Sequence, residues 1–239
     1  MTNPVKKPFV FAKKSAWLQR TQDLVRNGHC FYVTGTIMQE KAEGLALKLA
    51  TAYETELLPM AQSRKRSRGE ASFRLLSWSD ENAQVMHWIL LHTDGVLPDC
   101  AAREKWQDAA GKTRLAVVGG YELVRLVKPL SPKPVWTWRY SKYHFEGLQD
   151  SIKRAIRNRR DDLLTQLIYE ISRTMGFAGA RVQVKSLYNL IENDWKRTRG
   201  YDPIPDLPKH IGYIQRLPNK PKPIKSSKGA SQKTENKAR

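Results

Sequence analysis

The spacing of apolar residues changes partway along this 239-residue chain, and that change restricts the fold more than any other feature. Leu148, Ile152, Ile156, Leu163, Leu167, Ile171 and Met175 recur at helical intervals and line one face of a long helix, or of two joined at 159–162. After a turn at 175–179, Val184, Leu187, Ile191 and Trp195 mark a further helix. Upstream the pattern is that of strands. Runs rich in β-branched and aromatic residues at 29–37, 72–77, 85–92, 115–118, 122–127 and 135–143 are bounded by turn residues. Leu45, Leu49, Tyr53 and Leu57 place a helix after the first run, closed by Pro59, and a short helix capped by Ser15 covers 15–27. Residues 61–70 read as a basic loop, 99–113 as a short helix, and 128–134, with its prolines, as a stiff connector.

The order of elements predicts an α+β fold: an antiparallel sheet containing a β-α-β-β unit, then a helical C-terminal part. The expected divisions are a flexible basic N-terminus over 1–14, a sheet domain over 15–145, a helical part over 146–200 and a Pro/Lys-rich disordered tail over 201–239.

Charge sets the class of partner. Lys and Arg number 42 against 23 Asp and Glu, a net charge of +19. Such a surface attracts polyanions, nucleic acid first. The span 209–239 holds nine Lys/Arg and one acid, too few apolar residues to offset the entropy of ordering, and so reads as the disordered tail. Residues 1–14 add four lysines and no acid, and folded segments carry the remainder of the surplus. One cluster is Arg64, Lys65, Arg66 and Arg68. Another runs from Arg139 through Lys142 to Lys153, Arg154, Arg157, Arg159 and Arg160, whose helical spacing suits contact with a phosphate backbone. Two cysteines, Cys30 and Cys100, are too few for a disulfide framework or a cysteine-based zinc site. No apolar run reaches the roughly 18–20 residues that span a bilayer, and the N-terminus lacks the apolar core of a secretory signal. A cytoplasmic protein with no membrane partner is expected.

Strand alternation puts Trp136, Trp138, Tyr140 and Lys142 on one face and Arg139 on the other. Two readings stand: a platform on which unpaired bases stack, or a face packed beneath the C-terminal helices. His87 and His92, five apart, point to opposite faces of one strand and do not pair in a metal site. The helices flanking 175–179, with Arg181 and Lys185 early in the second, are compatible with a helix-turn-helix or with any helical hairpin. The sequence has no P-loop, G-x-G-x-x-G, G-x-S-x-G or H-E-x-x-H motif.

The β-α-β-β order comes with the strand Phe31-Tyr32-Val33-Thr34-Gly35-Thr36, the run His87-Trp88-Ile89-Leu90-Leu91 and the segment Arg139-Tyr140-Ser141-Lys142-Tyr143. On these, residues 29–145 resemble the HUH (His-hydrophobe-His) replication initiators and relaxases. The family motif has a second histidine where this chain has Ile89. The resemblance implies an HUH/ferredoxin-like fold and DNA, single-stranded or origin duplex, as partner, alongside replication or relaxosome proteins. It implies a role in replication initiation or conjugative transfer of a plasmid or other mobile element. Were nicking retained, Tyr140 or Tyr143 would attack the phosphorus, with His87 as a metal ligand and Mg²⁺ or Mn²⁺ polarising the phosphate. An RNA-binding assembly factor would use the same basic surfaces.

Overall fold

The computed structural model describes residues 9–80, 82–128, 131–215 and 222–223. The first eight residues of the expected N-terminal arm, and most of the expected tail, lie outside the described residues. The chain is α+β and divides into two compact units, one formed by residues up to Asp108 with the C-terminal end, the other by 109–216. The strands after Asp108, expected to belong to one sheet domain over 15–145, build a separate sheet.

In the first unit the chain runs β1 (Phe9–Phe11), α1 (Lys14–Arg26), β2 (Phe31–Met38), α2 (Ala42–Tyr53), α3 (Pro59–Ser67), β3 (Phe73–Asp80), β4 (Val85–His92) and β5 (Gln107–Asp108). Residues 9–14, expected in the flexible arm, thus supply a strand and the start of a helix. The sheet order is β5-β2-β4-β3-β1, antiparallel except for the parallel pair β1 and β3. The β3–β4 turn forms where expected: the Asp80 carboxylate accepts from the amides of Asn82 and Ala83.

Alternation along β4 gives the sheet two covered faces. On one, Trp17 of α1 stacks against Trp78 of β3. On the other, Ala46, Leu49 and Tyr53 of α2 pack on Phe73, Leu75 and Leu90. His87 and His92 fall on opposite faces, as their spacing requires: His87 beside Trp78 and Trp17, His92 against Phe31, Phe73 and Trp106.

Two further local expectations fail in this unit. The presumed basic loop at 61–70 is largely helix α3, which has no apolar periodicity to announce it. Pro59 starts it in the first turn, and the buried Gln62 anchors it by donating Nε2–H to the Phe73 carbonyl at 3.1 Å. The presumed helix at 99–113 shrinks to a short 3₁₀ segment, Asp99–Arg103, followed by β5. Trp106 donates its indole N–H to Ala101 O and lies against Tyr53, Phe73 and His92, so burial of one aromatic outweighs helix propensity.

The second unit runs β6 (Ala116–Val117), β7 (Tyr121–Lys128), β8 (Ser131–Tyr140), α4 (Lys142–Arg157), α5 (Asp161–Ser172) and α6 (Ala178–Arg199). Its strands form a three-stranded antiparallel sheet in sequence order. The turn between β6 and β7 uses Gly119 and Gly120, both at positive φ; a Cβ on Gly120 would stand 2.5 Å from His144 Cγ. Of the expected stiff connector at 128–134, Lys128 ends β7 and 131–134 open β8. Pro132 and Pro134 fit there because β8 is an edge strand, where a missing N–H costs no ladder bond on its open side. β8 ends at Tyr140, so Lys142 and Tyr143 open helix α4, capped by the Ser141 hydroxyl. The long apolar stripe belongs to two helices, α4 and α5, which meet where the sequence allowed a joint. α6 packs on α4 and β8. A final short strand, β9 (Lys222–Pro223), pairs antiparallel with β1 of the first unit's sheet.

Residues 201–215, expected within the disordered tail, are held along α6. Asp202 O accepts from Trp195 Nε1, Arg181 Nε donates to Ile211 O, and Ile214 N donates to Gly176 O. The crossing is close: a Cβ at Gly176 would overlap the Gly212 carbonyl oxygen.

Candidate nucleic-acid interface

Division into units relocates the charge. Residues 9–108 carry 13 Lys/Arg against 12 Asp/Glu, while 109–216 carry 20 against 10. The folded part of the basic surplus therefore belongs to the second unit.

Pairing within each unit then decides which cations remain available. In α3, Lys65 pairs with Glu54 and Arg68 with Glu70 at 2.6 Å, whereas Arg64 and Arg66 are exposed with no acid partner among the described residues. Arg139 is committed: it and Arg114 share the buried Glu122, at 2.8 and 2.7 Å. Lys142 faces Glu146 at 3.8 Å and Lys153 faces Asp150 at 4.0 Å. Arg160 pairs with Asp162 at 3.3 Å, which lowers that carboxyl's pKa.

Of the expected basic row, what remains unpaired is the corner where α4 ends. Arg154 and Arg157, three apart on exposed positions, have no acid partner among the described residues; Arg154 donates only to the Asp150 carbonyl. Arg159 joins them. It is exposed, lacks an acid partner among the described residues, and stands at φ +55°. The Arg160 amide donates to Ala155 O and the Arg159 amide to Ile156 O, a Schellman closure in which Arg159 takes the place usually given to glycine. The sequence signalled this corner through its basic row and allowed a joint at 159–162, but an arginine gives no residue-type signal for the left-handed turn at the helix tip.

The stacking platform is not formed. Trp138 is 0% exposed and Tyr140 is buried, its hydroxyl 2.5 Å from Thr174 Oγ1; Trp136 is half-buried. Of the two readings of this face, the packed one holds, because α6 lies on β8. Arg181 is likewise withdrawn from any groove-reading role, stacked on Tyr213 at 3.5 Å and bonded to Ile211 O. Lys185 is exposed on α6.

The residues of the nicking expectation are spread over both units. His87 lies on β4 with Thr36 opposite on one side and Trp78 on the other. Its Nδ1 is 3.1 Å from Thr36 Oγ1, and its ring stacks on Trp78 with centroids 5.2 Å apart. Burial lowers its pKa, and nearby Asp80 opposes that shift. Lys14 sits over the other reach of Trp78, and burial lowers its pKa too. No group of three or more His, Cys, Asp or Glu side chains that could hold a metal occurs among the described residues. Tyr143, 90% exposed on α4, is the accessible tyrosine of the pair; Tyr140 is locked in the core.

No helix among the described residues is long and apolar enough to cross a membrane. No family model matches the chain, and no curated protein or solved structure matches it either.

Proposed function

We propose that the chain is a DNA-binding protein that captures phosphates mainly through its second unit. The observation that carries this reading is the corner of Arg154, Arg157 and Arg159, exposed and without acid partners among the described residues, within a unit of twofold basic excess. Unpaired cations on a rigid helix end release counterions on meeting a phosphate backbone, whereas cations already paired to carboxylates give little. Arg64 and Arg66 of α3 and the basic C-terminal end add capture without register. Replication initiation or conjugative transfer of a plasmid or other mobile element is the host process we assign, on the likeness of 29–145 to the HUH family. The finer description of the sheet as an HUH/ferredoxin-like unit belongs to the same proposal, supported by the β2-α2-α3-β3-β4 order.

Fluorescence anisotropy against salt tests the binding. Affinity should fall steeply with salt, and the double variant Arg154→Ala/Arg157→Ala should reduce the log–log salt slope by about 2. Salt-independent binding would contradict the reading, and tighter binding to structured RNA would favour the assembly-factor alternative.

A second reading, a Tyr-dependent nickase, is favoured by the Thr36–His87 pair on adjacent strands and by the exposure of Tyr143. It requires that supercoiled plasmid be opened with Mg²⁺ or Mn²⁺ and that Tyr143→Phe abolish the opening. Retained nicking in that variant would exclude Tyr143 as the nucleophile.

A further inference from the structure

Residues 207–211 lie along α6 and form with it an open pocket of about 460 Å³, entirely within the second unit. Its size falls within the range of small-molecule sites. Val184, Leu207, Pro208 and Ile211 give it apolar walls, with the buried Tyr188 at its base. Lys185, Lys209 and His210 also line it, all exposed, with Glu192 the acid among the lining residues. Lys185 and Lys209 have no ion-pair partner among the described residues. Asn189 contributes an amide, which offers a donor and an acceptor side by side.

We propose that this cavity receives a single nucleotide unit. The apolar wall, with the partly exposed Leu207 and Pro208, suits the flat face of a base. The Asn189 amide matches the adjacent donor and acceptor of a base edge, the pairing that makes Asn a reader of adenine. Lys185 and Lys209 supply the positive charge that a phosphate needs. Hydrophobic ligands without charge would leave those lysines unused, and a cation would meet two lysines and Arg181 against one glutamate. The proposal deepens the DNA-binding reading and rests on it for the source of the nucleotide, which is either an unpaired position in a strand or a free nucleoside monophosphate.

The test uses the full chain with two probes: dAMP by titration calorimetry, and a single-stranded oligonucleotide carrying 5-iodouracil, photocrosslinked and mapped by mass spectrometry. Adducts should fall in 181–192 or 207–211. Asn189→Ala and the double variant Lys185→Ala/Lys209→Ala should each weaken the affinity of the probe that binds by about tenfold, a loss of one base-edge contact or of phosphate attraction. These side chains are exposed, so unchanged circular dichroism and melting confirm the fold. Crosslinks without dAMP binding identify a strand nucleotide; dAMP binding without crosslinks identifies a free one. Absence of both, or variants that change neither, overturns the proposal. If the pocket variants are silent while Arg154→Ala/Arg157→Ala still lowers the salt slope, the cavity proposal falls and the DNA-binding reading stands. If dAMP binds but no salt-dependent DNA binding exists, the reverse holds.

Discussion

Arg159 and His29 each hold a residue type where the local physics disfavours it. At Arg159 the backbone is left-handed, where a Cβ is crowded and glycine is not. Replacing Arg159 by Gly should stabilise the fold by about 1 kcal/mol in chemical denaturation, since the αL strain is relieved. The same change should weaken DNA binding, because the corner loses a cation. A variant both more stable and less able to bind would show that function, rather than folding, keeps arginine there.

His29 is 4% exposed between α1 and β2, and its pKa is pushed down to about 4. Burial is the main cause, and the positive charges of Arg74, Arg66 and Arg20 act in the same direction. The folded state therefore binds fewer protons than the unfolded chain between about pH 6.5 and 4, so stability falls as pH drops through that window. The contribution is on the order of 3 kcal/mol when the window has been crossed. Urea unfolding at pH 7 and pH 4.5 should show a smaller difference for His29→Leu than for the parent. An equal difference would mean that His29 does not titrate in this way. The turn at Arg159 is local, but without the usual glycine nothing in the sequence marks it as left-handed; the setting of His29 was not legible because its neighbouring guanidiniums come from other segments.

At the scale of elements, α3 and the 201–215 segment were both misjudged, and for one reason. Each lacks apolar periodicity and is held by single tertiary anchors. Gln62 ties α3 to β3, and Gln62→Ala should cost about 1–2 kcal/mol by leaving the buried Phe73 carbonyl without its donor. The 201–215 segment depends on Gly176, where any side chain would meet the Gly212 carbonyl. Gly176→Val should release this segment from α6, detectable as faster proteolysis after Lys209 with the α-helical circular dichroism preserved. Unchanged proteolysis would mean that the segment adjusts around the new side chain. Strongly periodic elements behaved differently. β2, β4, α2, α4, α5 and α6 lie close to their expected positions, because a stripe of apolar residues must be buried whatever its partner.

For the whole molecule, the sequence alone determined an α+β chain, a basic surface, the strands and the helices whose apolar residues keep a regular period, and the opposite facing of His87 and His92. All of these follow from composition or from the geometry of a single element. Tertiary structure alone decided that the chain forms two units with the folded charge in the second. It also decided that Trp138 and Tyr140 are core, and that Arg139 is spent on Glu122 while Arg157 and Arg159 are not. Finally, it folded part of a presumed tail back to wall a cavity. The physical reason is the same throughout. Period and charge count are properties of neighbours along the chain, whereas burial, ion pairing and enclosure depend on which segments meet.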